Sequence, residues 1–231
     1  MTANPGTGST RSNPVVGQIG SMTVDRARFL TNDKVNRLTA SCNTESKRGR
    51  RDKAILNLFL YMGLEVGRLV TLTLDCFVRK PTDQGIDVLI HPDSTRLVRV
   101  PEQVDRALNT WFEVLDQEEE KTAGWVFVRI QRNDQLINQP LNPQQVRYIV
   151  AEYGHKAGLT PRIGNRRLTP TDLRRTCGRN AYQNGARLLD VQALLGQSRP
   201  LSTARFIDIL KYQNPNSAVD LVQYQPPSDE K

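Results

Sequence analysis

The sequence contains few of the residues from which metal centres and disulfide frameworks are built. Its 231 residues include only two histidines and three cysteines. Cys42, Cys76 and Cys177 lie far apart in the chain and show none of the close spacings of zinc ligands. We therefore predict buried free thiols and no metal site.

Long apolar runs are also absent from the sequence. No run approaches the roughly 20 consecutive apolar residues that a bilayer-crossing helix needs. The first residues lack the compact apolar core of a secretion signal. These absences favour a cytoplasmic protein.

Acidic residues are outnumbered by basic ones. The chain has 24 aspartate and glutamate residues against 32 lysine and arginine residues, which gives a net charge of +8. Such a charge makes an anionic partner the first expectation and nucleic acid the first candidate, although excess charge can also serve solubility alone.

Length and composition predict one domain flanked by two shorter segments. A chain of 231 residues can build one substantial domain or at most two small ones. Residues 1–25 have too few bulky apolar groups to offset the entropy lost on ordering, so we predict a disordered tail there. We assign residues 26–213 to the domain. In the remaining segment, 214–231, Pro215 precedes apolar residues at helical spacing.

Apolar periodicity predicts a mainly α-helical domain with a small antiparallel β-sheet, the α+β class. Residues 85–100 alternate apolar and polar groups around a Pro-Asp-Ser turn, which is typical of a β-hairpin. A short buried strand or an extended segment is predicted at 125–128. The helices predicted before residue 168 cover residues 31–40, 54–62, 102–115 and 142–155.

The stretch from Leu168 to Asp208 predicts three consecutive helices whose ends can converge. Thr169 is suited to cap the first of them, Pro170 suits its first position, and the Asp172 carboxylate suits the exposed amides of its first turn. Glycines at 185 and 196 predict the ends of the first two helices.

Arginine is concentrated in two places. Between residues 162 and 179 the only acid is Asp172, and the arginines are Arg162, Arg166, Arg167, Arg174, Arg175 and Arg179. A second cluster at 47–53 includes Arg50 and Arg51 and leads into the helix at 54–62. Phosphate contact is the interpretation we carry forward for both clusters, and a merely solvated helix start is the alternative for the second.

Short motifs in this chain resemble the catalytic domain of the tyrosine recombinases, or phage integrases. In that family a Pro-His-x-Leu-Arg helix start is followed by Leu-Gly-His-Ser and then by a helix with a nucleophilic tyrosine. The corresponding segments here are Pro170–Arg174, Leu195–Ser198 and Ser202–Phe206. Upstream, Gly63–Leu69 is similar to the family's Gly-Leu-Arg-x-x-Glu-Leu motif. The resemblance implies the fold of that catalytic domain for residues 26–213.

The resemblance also implies which residues occupy the catalytic positions. Those positions hold Glu65, His91, Thr171, Arg174, Gln197 and Phe206. Only Arg174 has the side chain that the family uses. Glu65 stands where an arginine grips the scissile phosphate, and Arg68 stands where the motif has its glutamate, so these two charges are exchanged.

The chemistry of the family does not fit these replacements. Strand transfer needs a hydroxyl nucleophile, and cations that stabilise the charge building on the phosphate oxygens. Phe206 has no oxygen, and Glu65 carries the wrong charge. Neither Thr171 nor Gln197 shuttles protons well near pH 7. The resemblance implies no cofactor, because arginines rather than a metal supply the positive charge.

The leading hypothesis is therefore an inactive family member that binds double-stranded DNA. It would act as a regulator or accessory subunit of recombination or integration, of the kind found with mobile genetic elements, in the nucleoid-associated part of the cytoplasm. The predicted DNA contacts are Arg50, Arg51, Arg68, His91, Arg166, Arg167, Arg174 and Arg175.

Two alternatives stay open. One is an active recombinase with a rearranged site that uses Arg68, His91, Arg174 and Tyr212, the last as nucleophile. The other is a protein-interaction role. Family members pass a C-terminal segment to a neighbour, so residues 214–231 could join a homo-oligomer or pair with an active recombinase. The family's domain normally follows a helical clamp module, for which residues 1–25 leave no room.

Overall fold

The computed structural model describes residues 29–79, 86–89, 97–118, 124–159 and 167–209. The predictions for the tail at 1–25, for the segment at 214–231, and for His91, Arg166 and Tyr212 lie outside these ranges. The described helices are α1 (Asn32–Ala40), α2 (Lys47–Asn57), α3 (Val66–Val70), α4 (Glu102–Asp116), α5 (Pro143–Lys156), α6 (Pro170–Gln183), α7 (Leu188–Leu194) and α8 (Pro200–Phe206). The described strands are β1 (Phe77–Arg79), β2 (Ile86–Leu89), β3 (Leu97–Arg99), β4 (Val128–Ile130) and β5 (Leu136–Pro140).

Small antiparallel sheets accompany the helices. Strands β1, β2 and β3 form one sheet in that order, with Phe77 opposite Val88. Strands β4 and β5 form a second sheet, with a register shift between Val128 and Arg129. The hairpin predicted at 85–100 is present as the β2 and β3 pair. The mainly helical α+β class is thereby confirmed.

Of the two alternatives predicted at 125–128, the structure has the extended segment, because the strand β4 begins only at Val128. Trp125 forms an isolated bridge with Thr73 instead of joining a ladder. The Val126 N–H donates to the Leu72 carbonyl oxygen at 3.1 Å. The segment is extended, but its hydrogen bonds are divided between two neighbouring parts of the chain.

The hydrophobic core is built around α2, which continues into a π-helical turn at Leu58–Met62. Phe59 in this turn is fully buried. Helix α4 packs beside α2 and confirms the predicted amphipathic helix, with Trp111 fully buried. The Trp111 indole N–H donates to the Val126 carbonyl at 2.8 Å. Burial of each such side chain stabilises the folded state by about 1.5–3 kcal/mol, so the packing holds α2 firmly in place.

The basic cluster at 47–53 forms the first turns of α2 and does not merely lead into it. Ser46 Oγ accepts a hydrogen bond from the Gly49 N–H at 3.0 Å. The Asp134 carboxylate accepts the backbone N–H groups of Lys47 and Arg48 at 2.8 and 3.2 Å. Both partners satisfy amides that a helix start leaves unpaired, and the carboxylate also complements the helix dipole.

Arg51 is buried, which is incompatible with the predicted phosphate contact in this conformation. It is 4% exposed. Its guanidinium donates to the Asp52 carboxylate at 2.6 and 2.9 Å and to the Val128 carbonyl at 2.9 Å. Burial raises the pKa of the Asp52 carboxyl, while Arg51 opposes that rise. A buried charge of this kind requires its partner, so Arg51 belongs to the core.

Gly63 ends the α2 segment, as predicted, and turns the chain toward the site. Its φ of 59° is in the left-handed region that favours glycine. A Cβ at this position would lie 2.9 Å from Leu195 Cδ2. The glycine therefore allows both the sharp turn and the close approach of the segment after α7.

The local signals around α6 are confirmed. Thr169 and Asp172 form a reciprocal capping box, and Pro170 occupies the first helical position. Gly185 and Gly196 end α6 and α7 with φ values of 97° and 58°. These residues determine where α6 starts and where the two turns lie.

Helices α7 and α8 pack on α6 around a separate small core of Val191, Leu195 and Ile207. The third predicted helix is shorter than expected. Helix α8 ends at Phe206 and not at Asp208, whose φ of 56° is left-handed. Arg179 holds this turn by donating to the Ile207 carbonyl at 3.1 Å.

The described cysteines are free thiols, as predicted, but only two of them are buried. Burial raises the pKa of Cys42 and of Cys177 to about 12 each. Cys76 is only half-buried. In the described ranges no cluster of metal-binding side chains occurs. None of the helices in these ranges has the length and apolar character needed to cross a bilayer.

Candidate functional site

An open cavity of about 550 Å³ brings together most of the positions that the motifs indicated. Its lining includes Glu65, Thr171, Arg174, Gln197 and Phe206. Glu65 and Phe206, which are 141 positions apart in the chain, thus share one depression on the surface. We call this depression the central cavity.

Four parts of the fold position these side chains. Glu65 is the residue before α3, directly after the turn at Gly63. Thr171 and Arg174 lie on the first turns of α6, whose start is held by the Thr169 cap. Gln197 follows α7, and Phe206 ends α8. The prediction that the three C-terminal helices converge on one site is confirmed by this arrangement.

Arg174 holds two turns of the backbone together. Its Nη1 donates to the Gly63 carbonyl oxygen at 3.0 Å, and its Nη2 donates to the Leu195 carbonyl oxygen at 2.5 Å. Burial lowers the pKa of the Arg174 guanidinium, and the Glu65 carboxylate partly opposes this effect. An arginine remains charged nonetheless. Its terminal nitrogens are therefore already engaged, with less left to offer a ligand.

Phe206 lies against two cations at the base of α6. Its ring centroid is 5.1 Å from the Arg175 guanidinium carbon and 5.9 Å from that of Arg174. Both distances fall within the range of cation–π attraction. The aromatic ring thus supports the arginines, but it brings no hydroxyl group to them.

Two polar atoms at the central cavity are buried without a hydrogen-bond partner in the described part of the chain. They are Arg175 Nε and Gln197 Oε1. A buried donor or acceptor left unpaired costs about 1–3 kcal/mol. Arg175 therefore has an unsatisfied buried donor, and the permanently charged side chain that carries it lines the cavity, which suits an anion.

Arg68 does not replace the missing cation at position 65. The lining of the central cavity includes Glu65, whose side chain is exposed, but not Arg68. Arg68 instead lines a neighbouring depression of about 480 Å³ together with Leu194 and Gly196. Glu65 and Arg174 also line that depression, so Arg68 shares it with both of them but does not line the central cavity.

The other predicted DNA contacts are divided between the two ends of the domain. Arg167 is exposed just before α6. Arg50 is half-buried near the start of α2, where its Nε donates to the Thr44 carbonyl at 2.8 Å. At 1.5 Å per helical residue, Arg50 is roughly 20 Å from the Gly63 turn. The cluster at 47–53 is thus remote from the central cavity.

Arg147 lines the central cavity, although no motif indicated it. It lies on α5, and its side chain is exposed. The apolar residues of this helix predicted which face points inward, and they placed Arg147 on the opposite, solvent-facing side. An arginine is common on such a surface, so its position gave no signal of a functional role. Only the packing of α5 against α3 and α6 places it beside the site, and local periodicity does not reveal such packing.

Comparison with known proteins agrees with this geometry. A family model described as "Phage integrase family" matches residues 28–212. The tyrosine recombinase XerC of Thermodesulfovibrio yellowstonii is 29% identical over 198 residues, covering 81% of this chain and 60% of the relative. The tyrosine recombinase XerC of Corynebacterium glutamicum is 31% identical over 166 residues, covering 71% of this chain and 48% of the relative.

A solved structure shows the same fold. The XerH site-specific recombinase bound to a palindromic difH substrate matches with a TM-score of 0.62 and 17% sequence identity. The match covers 84% of this chain and 53% of that structure. The chain therefore spans about half of the solved protein, and between 48% and 60% of the two relatives.

Proposed function

Since this chain belongs to the phage integrase family of tyrosine recombinases, we propose that it binds double-stranded DNA without cleaving it. In this proposal it acts as a regulator or accessory subunit of DNA recombination or integration, in the cytoplasm. The observation that carries the proposal is the position of Phe206. Its ring lies beside Arg174 and Arg175 in the central cavity, where the family resemblance places the nucleophilic tyrosine.

Loss of the nucleophile excludes the covalent step at this position. A phenyl ring has no oxygen to attack phosphorus, so no phosphotyrosyl bond can form there. The step is therefore missing and not merely slow, whatever the remaining side chains contribute.

The charge at the cavity also opposes catalysis. Glu65 lines the cavity with a carboxylate. Two like unit charges about 4 Å apart repel by about 4 kcal/mol at an effective dielectric constant of about 20. Because Glu65 is exposed, water and salt reduce this figure, but its sign remains unfavourable for the charge that builds on a phosphate in the transition state.

Affinity for the DNA backbone is supported by the arginines at the start of α6. Arg175 lines the central cavity, and Arg167 lies exposed just before the helix. Contacts of this kind hold phosphates, carry little sequence information, and make binding depend strongly on salt. Binding without cleavage is the function that this combination supports best.

Fluorescence anisotropy with a labelled duplex of mixed sequence tests the binding. We expect affinity to fall steeply between about 50 and 200 mM salt, because counterions are released on binding. Arg175→Ala is expected to weaken binding about tenfold, through loss of one phosphate contact. Arg132→Ala removes the same charge from an exposed turn between β4 and β5 and serves as the matched control. Absence of binding at low salt would refute the proposal.

A second candidate function is strand cleavage with Tyr212 as nucleophile. If α8 continued without a break, Tyr212 would lie about 240° round the helix from Phe206. However, α8 ends at Phe206, and Asp208 has left-handed backbone angles. A continuous helix therefore does not hold Tyr212 away from the cavity. A comparison of covalent adduct formation by the unmodified chain and by Tyr212→Phe separates this candidate from the first.

A further inference from the structure

The cations around the central cavity differ in how many donors they still have to offer. Arg174 has two of its nitrogens bonded to backbone carbonyls. Arg175 lies against the Phe206 ring, with its Nε buried. Arg147 is exposed, and its side chain has neither a hydrogen bond nor an ion pair with any described residue. Among these three arginines, Arg147 therefore has the most available guanidinium.

We propose that Arg147 supplies the phosphate contact that the central cavity lost at position 65. The anion would be a backbone phosphate of the bound duplex, held between Arg147 on α5 and Arg175 on α6. This inference rests on the proposed DNA-binding function and specifies how the site performs it. It moves the principal phosphate contact from the α2–α3 turn to α5.

Helix α5 is a rigid support for such a contact. Asn142 and Gln145 form a reciprocal capping box at its start, and Pro143 occupies its first position. Val146 and Val150 on its inner face are fully buried. Arg147 lies one turn from the capped end, so its backbone is well fixed while its long side chain remains free to meet a ligand.

Arg147 adds a cation to the lining of the central cavity. Glu65 opposes the charge of Arg174 there, and Arg175 is the other arginine that α6 contributes to the lining. Arg147 restores a second uncompensated positive charge. Arginine also binds phosphate through two parallel N–H groups, which gives a defined geometry as well as attraction. A phosphate bound in this way is held for recognition, because position 206 offers a phenyl ring and no tyrosine hydroxyl.

Anisotropy titrations of the full chain test the assignment. Arg147→Ala is expected to weaken duplex binding about tenfold relative to the unmodified chain and to lower the slope of log affinity against log salt by about one. Arg147→Lys, which keeps the charge, should recover part of the affinity. Arg132→Ala, which removes an exposed charge beyond the far end of α2, should change neither quantity appreciably.

The possible results separate this inference from the function on which it rests. If the unmodified chain binds DNA and Arg147→Ala binds as Arg132→Ala does, Arg147 is only a solvated arginine and the inference is wrong. If the unmodified chain does not bind DNA at all, both proposals fail. Thermal unfolding at the same midpoint for the variants confirms that the affinity changes do not arise from misfolding.

Discussion

Arg174 shows how a side chain that matches a catalytic motif can have a different principal task. Its position on α6 is the one that the family resemblance indicates, but its terminal nitrogens bond the carbonyls of Gly63 and Leu195. Those bonds join the turn after α2 to the turn after α7. The shape of the central cavity therefore depends on Arg174, whether or not the arginine touches a ligand.

This role predicts a large effect of Arg174→Ala on stability. Hydrogen bonds from a charged group contribute about 1.5–3 kcal/mol each, and a buried carbonyl left unpaired costs about 1–3 kcal/mol. Because Arg174 is only partly buried, we expect a combined loss of about 2–3 kcal/mol in the free energy of unfolding. Urea denaturation followed by circular dichroism measures it.

Arg175→Ala is the matched control for this measurement. The Arg175 Nε has no hydrogen-bond partner in the described structure, so its removal should cost less than about 1 kcal/mol. Equal free energies of unfolding for the two variants would show that the Arg174 hydrogen bonds do not stabilise the fold.

Residues whose roles depend on near neighbours in sequence could be predicted, and the others could not. The capping pair Thr169 and Asp172 follows from a spacing of three residues. Arg51 is buried because it meets the Val128 carbonyl, 77 positions away. Nothing in its own segment distinguishes it from the surface arginines around it.

Among the elements, α5 and α6 both contribute side chains to the central cavity, and their close approach depends on a glycine. A Cβ on Gly154 of α5 would lie 2.7 Å from the Cβ of Leu168, which directly precedes the α6 cap. That contact involves the base of a side chain, which cannot rotate away. One of the two segments would have to shift.

Gly154→Ala is therefore expected to destabilise the protein. Overpacking typically costs about 1–3 kcal/mol, which exceeds the roughly 1 kcal/mol gained from the better helix propensity of alanine. Gly67→Ala on α3 is the control, because its Cβ would meet nothing within 4 Å. Thermal unfolding should show a lower midpoint for the first variant and an unchanged or higher one for the second. The reverse order would contradict this account of the packing.

Element types followed from local patterns, whereas their relative positions did not. The caps and glycine stops of α6 and α7, and the hairpin of β2 and β3, were predicted from spacing alone. The end of α8 was predicted two residues too late, at Asp208 instead of Phe206. The contribution of α5 to the cavity was not predicted, because it depends on packing between parts of the chain distant in sequence.

At the scale of the whole molecule, the net charge of +8 is a poor guide to where an anion binds. Part of the basic cluster at 47–53 is neutralised internally, since Lys47 pairs with Glu118 and Arg51 with Asp52. The available charge near the motifs lies instead around α5 and α6. Subunit association through residues 214–231 stays a prediction, because that segment lies outside the described residues.

The family assignment and the fold agree, and the proposed loss of strand cleavage rests on the side chains of the cavity. Residues 28–212 match the family model, and the fold matches that of a solved recombinase. Phe206 and Glu65 both line the central cavity, and the family resemblance predicts that they stand at the positions of the nucleophile and of a phosphate-gripping cation. We therefore propose above all that the domain binds duplex DNA and does not cleave it.

Covalent trapping on nicked duplexes tests this claim most directly. The DNA is first selected for binding to the protein and then nicked, so that any cleavage releases a short fragment and leaves the protein attached. At protein concentrations that saturate binding by anisotropy, we predict no protein–DNA adduct on denaturing electrophoresis. An adduct that forms with the unmodified chain and is lost in Tyr212→Phe would contradict the account and establish a rearranged, active site.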